Sequence, residues 1–156
     1  MRRTILITCL LPAILFSELI RKKEELLHRL LPVSQRQLEI VRSENVDKLL
    51  QHLWRKSKLL DELAEIERQL VPFKDIPPEQ RVWQNGEERE TVCAAIERCN
   101  ELLEQILELD TVSTEEHAAQ KSSTEDELKR VRTASQVHGA YSKQEKHTGK
   151  HFERNG

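Results

Sequence analysis

The stretch "LLQHLWRKSKLLDEL", Leu49–Leu63, decides the fold, because its apolar residues recur at helical spacing while two of the positions are doubled. Leu49-Leu50 and Leu59-Leu60 place apolar groups on two adjoining rows of one helix, and Trp54 joins the Leu50 row. A helix packing on a single neighbour needs one such row. One row therefore closes the protein's own fold, and the other is free to receive another protein.

The same periodicity runs outward in both directions. From Ser17 to Val71 it includes Ile20, Leu27, Leu30, Leu31, Leu38, Val41, Val46, Leu53, Leu63, Ile66 and Leu70, which predicts one long helix over 17–71. Pro32 lacks an amide donor and crowds the preceding turn, so a kink or a restart is expected there, with Ser34 available as a cap. "VPFKDIPPE" ends the helix at Pro72, and 72–85 reads as a proline-bearing connector whose Phe73 and Ile76 fold back over the helix end. Trp83 reads as a structural plug.

Asn85-Gly86 is a stop and restart signal, with Asn85 placed to cap a second long helix over 86–141 and Glu87 and Glu88 favoured by its dipole. Val92, Ile96, Cys99, Leu103 and Ile106 form its seam. The seam fails past Asp110, where "STEEHAAQKSSTEDE" contributes two alanines, and apolar residues return at Leu128, Val131, Ala134, Val137 and Tyr141. Residues 142–156 read as a disordered polar tail. The fold class is all-α: an elongated antiparallel helical hairpin or coiled-coil bundle with a C-terminal amphipathic helical segment.

Composition agrees with this class and excludes others. Charged residues make up 33% of 156 residues and aromatics 4%, with four glycines, so strand-forming clusters bounded by turns are missing. Lys and Arg (25) nearly balance Asp and Glu (27), which leaves no positive field to draw phosphate backbones, and nucleic acid is not an expected partner. The basic runs Arg21-Lys22-Lys23, Arg55-Lys56 with Lys58, and Lys129-Arg130 with Arg132 read as solvated helix faces.

Cys9, Cys93 and Cys99 are odd in number and lack metal-knuckle spacing, which points to a reducing compartment, with Cys99 on the apolar row of its helix. "MRRTILITCLLPAILF", residues 1–16, has the basic-then-apolar pattern of a secretory signal, yet is shorter than the ~20 residues a membrane span needs. It reads as a helix start, a signal-like leader, an anchor or a misplaced translation start. The rest of the chain looks cytoplasmic, and membrane association is expected only if this segment is a signal or anchor.

Chemistry has little footing. Glu25 and His28 form a single E-x-x-H, where a di-iron bundle needs two plus further carboxylates. His147 and His151 lie four apart with Gly149 between them and lack a third ligand. His52, His117 and His138 are isolated, and neither a phosphate loop nor a nucleophile elbow is present. The expectation is a binding protein, not an enzyme, without cofactor or metal. Trp54 is either an anchor at an interface or the residue that seals the junction with the connector.

The succession "KSKLLDELAEIERQLVPF", then "RVW", then "AIERCNELLEQILELD", then "VRTASQVHGAY" resembles the FlgN-type flagellar export chaperones over roughly residues 19–141. Lys58, Leu59, Leu60, Leu63 and Glu67 resemble one block of the family, Leu102, Leu103 and Asp110 a second, and Tyr141 its late tyrosine. The resemblance implies a cytoplasmic helical chaperone. Such a protein binds the amphipathic helical ends of hook-filament junction (hook-associated) proteins and delivers them to a component of the type III export gate. It further implies that Leu128, Val131 and Val137 take the client and that Tyr141 docks on the gate; Leu50 and Trp54 join these partner-binding positions from the spare row. The alternative is a structural coiled-coil adaptor, self-associating as a homodimer through that row and anchored to a membrane if residues 1–16 are an anchor.

Overall fold

A computed structural model describes residues 2–152, with side chains described for residues 11–144 other than Pro78. Three α-helices make up the fold: α1 (Arg2–Arg42), α2 (Val46–Lys74) and α3 (Gly86–Phe152), with a short 3-10 turn at Pro78–Gln80. Strands are absent among the described residues. The chain falls into two compact units, Met1–Thr114 and Glu115–Gly156.

The first unit is an up-down-up bundle. Ion pairs Lys23–Glu67 and Arg29–Glu62, together with the Lys56–Gln37 hydrogen bond, run α2 back along α1. Arg98 grips Glu24 and Lys56 reaches Asp110, which sets α3 alongside α1 and antiparallel to α2. Three helices with one apolar face each can bury those faces against one another, and three apolar clusters result, one of them Ile40, Val41 and Leu49 beside the α1–α2 turn. Near the connector, Phe16, Leu19 and Ile20 meet Leu70, Val92 and Ala95. Further along, Leu26, Leu27 and Leu30 meet Cys99, Leu102 and Ile106, with Leu59 and Leu63 packed against them.

The single helix expected over 17–71 is two helices, and the chain reverses at residues 43–45 rather than at Pro32. Glu44 takes a left-handed conformation, φ 56°, and Asn45 caps α2 by accepting from the Lys48 amide at 3.0 Å. The Ser43 hydroxyl donates to the Ile40 carbonyl at 2.7 Å, which helps close α1. Pro32 remains inside α1 because its ring faces solvent, where water can satisfy the carbonyl it leaves unbonded. Ser34 is accordingly no cap: it is fully buried in mid-helix.

The other boundaries move less. α2 carries Pro72 in its last turn and ends at Lys74, so the connector starts three residues later than expected. Asn85 caps α3 as predicted, accepting from the Glu88 amide at 2.8 Å while the Glu88 carboxylate accepts from the Gln84 amide. α3 continues through the polar stretch after Asp110 and on to Phe152, so helix replaces the disordered tail expected over 142–152, and 153–156 lie outside the described residues. Residues 2–16 form the first turns of α1, and Ala13 and Phe16 enter the core. Among the described residues no helix is long and apolar enough to cross a membrane.

Candidate functional site

The doubled leucines separate as their positions on the helix require. Leu49 is buried against Ile40 and Val41, while Leu50 is 61% exposed. Leu59 packs into the core, and Leu60 faces outward. At 3.6 residues per turn, Val46, Leu50, Leu53, Leu60 and Val71 share one outer stripe of α2, and all five are exposed.

Trp54 borders this stripe, 62% exposed, with the Lys58 ammonium 3.8 Å above its ring. It does not seal the junction with the connector. That role belongs to Trp83, which packs edge-on against Phe16, and to Phe73, whose ring lies 5.3 Å from that of Phe16.

The second unit presents another stripe. Every described side chain over residues 121–141 is exposed. Leu128, Val131, Val137 and Tyr141 are 51%, 65%, 50% and 66% exposed, an area of apolar side chain that one helix cannot cover by itself. A shallow groove among Lys129, Arg130, Thr133, Ala134 and His138 includes Val137 and Tyr141. Leu50 and Trp54 thus neighbour one another on α2, and the four remaining predicted positions lie together on the Glu115–Gly156 unit.

Sequence reasoning missed two features. Lys56, read as part of a solvated basic run, is 4% exposed and donates to Gln37 at 2.8 Å and to Asp110 at 2.5 Å. The signal was its register: Lys56 stands seven residues after Leu49 and seven before Leu63, in the core row. The second feature is a cavity of about 310 Å³ at the connector end, lined by Pro12, Ala13, Phe16, Phe73, Ile76 and Arg81. There the Arg81 guanidinium lies 4.9 Å from the Phe16 ring and donates to the Phe73 carbonyl at 3.2 Å, and its Nε is buried without a partner.

Electrostatics in the first unit tie helices together. The Arg98 guanidinium beside Glu24 holds that carboxyl below its usual range. Burial disfavours the charged form of Glu67, but hydrogen bonds from Lys23 and Lys74 outweigh it and lower its pKa. Burial pushes the Cys99 thiol up, as expected of a small apolar residue in a core. Glu25 bonds Arg21, and His28 is exposed 3.8 Å from Glu24. Among the described residues no three His, Cys, Asp or Glu side chains gather as a metal site would require. His147 and His151 lie outside the residues whose side chains are described.

Compared with known proteins, the chain matches no family model, no curated protein and no solved structure.

Proposed function

We propose that this protein is a helical export chaperone of the kind the FlgN-type resemblance implies. It receives the amphipathic helical end of a hook-filament junction protein and carries it, in the cytoplasm, to the type III export gate. The observation that supports this reading is the exposure of Leu128, Val131, Val137 and Tyr141 along a continuous helix. Apolar residues at three- and four-residue spacing on an exposed helix are suited to pair with another amphipathic helix. A client held by so few apolar side chains is also releasable, which a carrier requires. On this reading the protein performs no catalysis and needs no cofactor.

The double variant Val131→Asp with Val137→Asp tests it. Titration of the full chain with the helical terminal segment of a hook-filament junction protein is expected to show binding that the variant loses by at least tenfold, with the melting temperature unchanged because both residues are exposed. Collapse of the fold in the variant, or undiminished binding, counts against it. A second reading, self-association through the outer α2 stripe, is favoured by the exposure of Leu50, Leu53 and Leu60. Sedimentation of a Leu50→Asp, Leu60→Asp variant separates the two: a stable dimer of the native chain that binds no client and is lost in the variant supports the adaptor, and a monomer that binds client counts against it.

A further inference from the structure

The outer stripe of α2 is a seam with a register of its own. From Val46 to Val71 its positions step by four and three without a break, the spacing by which one helix fits along another. Leu50, Leu53 and Leu60 are its large members and Ser57 and Ala64 its small ones, all exposed. Glu67 is the charged member, its carboxylate held by Lys23 and Lys74.

Turned end for end about a point midway between Ser57 and Leu60, this seam matches itself. Leu60 meets Ser57 of a second copy, Leu53 meets Ala64, Val46 meets Val71, and Leu50 lies along the stem of Glu67. Each central layer sets a large side chain against a small one, so the two helices interdigitate. A parallel pair would set Ser57 against Ser57 and Ala64 against Ala64, leaving gaps. An antiparallel pair slid by one heptad would leave layers unmatched at one end.

Charge selects the same arrangement. One side of the stripe adjoins the helix's own core row, with Leu49, Lys56 and Leu70 buried. The other side, at 100° per residue, carries Asp47, Asp61 and Arg68 beside Trp54, with Lys58 next to them. In the antiparallel pair this flank meets its own reverse. Asp47 then faces Arg68 of the second copy and Lys58 faces Asp61, each contact made twice by symmetry. Among the described residues of one chain Asp47 and Asp61 make no ion pair, and the Lys58 ammonium rests on the Trp54 ring.

We propose that α2 pairs antiparallel with α2 of a second copy, with Ser57 and Leu60 beside the two-fold axis. This rests on the self-association reading above and adds the partner's orientation and register. The contact runs from Val46 to Val71, about 38 Å at 1.5 Å per residue. A client helix or a bilayer surface would use the apolar row, but neither accounts for a reversed match of both sizes and charges, and a bilayer does not call for Asp and Arg alternating along the edge.

The test is sedimentation equilibrium of the full chain, with the helicity of each variant checked by circular dichroism. The native chain is expected to form a dimer that the Leu50→Asp, Leu60→Asp variant weakens by about tenfold or more. Lys58→Asp alone, which sets an aspartate against Asp61 across the axis, is expected to weaken it by about fivefold at low salt, and Asp61→Lys alone likewise. The exchange of both, Lys58→Asp with Asp61→Lys, is expected to restore it, as is the exchange Asp47→Arg with Arg68→Asp after either change alone. A dimer that the leucine variant loses, but that the single reversals leave unmoved or the exchanges fail to restore, overturns the antiparallel register and leaves self-association through α2 in place. A chain that stays monomeric, or a dimer that the leucine variant leaves intact, overturns both.

Discussion

Lys56 shows how much one side chain depends on its neighbours across the bundle. Its stem occupies a leucine position, and its ammonium is satisfied only because Gln37 of α1 and Asp110 of α3 arrive opposite it. Ser34 and Ser113, close in sequence to Gln37 and Asp110, are buried as well, and their hydroxyls lack a hydrogen-bond partner. A buried charge contributes little net stability, but removing one partner leaves the other desolvated and unpaired. Because Asp110 is partly exposed and keeps some hydration, Lys56→Ala is expected to cost about 2 kcal/mol in urea denaturation, and Asp110→Leu combined with Lys56→Met is expected to recover most of that loss. From sequence, Lys56 and Lys58 looked alike, since a basic run records charge but not which of its members faces inward.

At the level of elements, the decisive feature is the reversal after α1. Pro32 looked like the natural break, and the chain passes through it as helix; the turn is made at Glu44, which has neither the composition nor the spacing of a stop signal. A non-glycine residue in the left-handed region is strained because its Cβ crowds the backbone. Glu44 is exposed, so relieving that strain leaves the packing untouched. Glu44→Gly is expected to raise stability by up to about 1 kcal/mol, read as a higher melting temperature with unchanged helicity. Asn85-Gly86, in contrast, was legible from sequence, because cap and dipole preferences act within a single turn.

For the molecule as a whole, the first unit is held by carboxylates that join one helix to another. Glu24 ties α1 to α3 through Arg98, and Glu67 ties α2 to α1 through Lys23. Both pKa values are lowered on folding from the ordinary 4.5. A depressed carboxyl contributes stability that is fully present above the unfolded value and is lost as pH falls through the folded one. Thermal melts from pH 7 downward are expected to hold steady until about pH 4.5 and then decline. Glu67→Gln is expected to lower stability at pH 7 and flatten that decline.

The sequence by itself determined that the fold is all-α, where α3 starts, that Cys99 belongs to a core, and that α2 has more apolar surface than one neighbour can take. These properties are local: they follow from spacing, capping and composition within a few turns. Only the tertiary structure decided that three helices, not two, share the first core, that the Leu49 row closes inward while the Leu50 row stays open, and that Lys56 is buried. The reason is that two adjoining rows on one helix are equivalent until α1 and α3 arrive to cover one of them, and which row they cover depends on contacts between residues far apart in the chain.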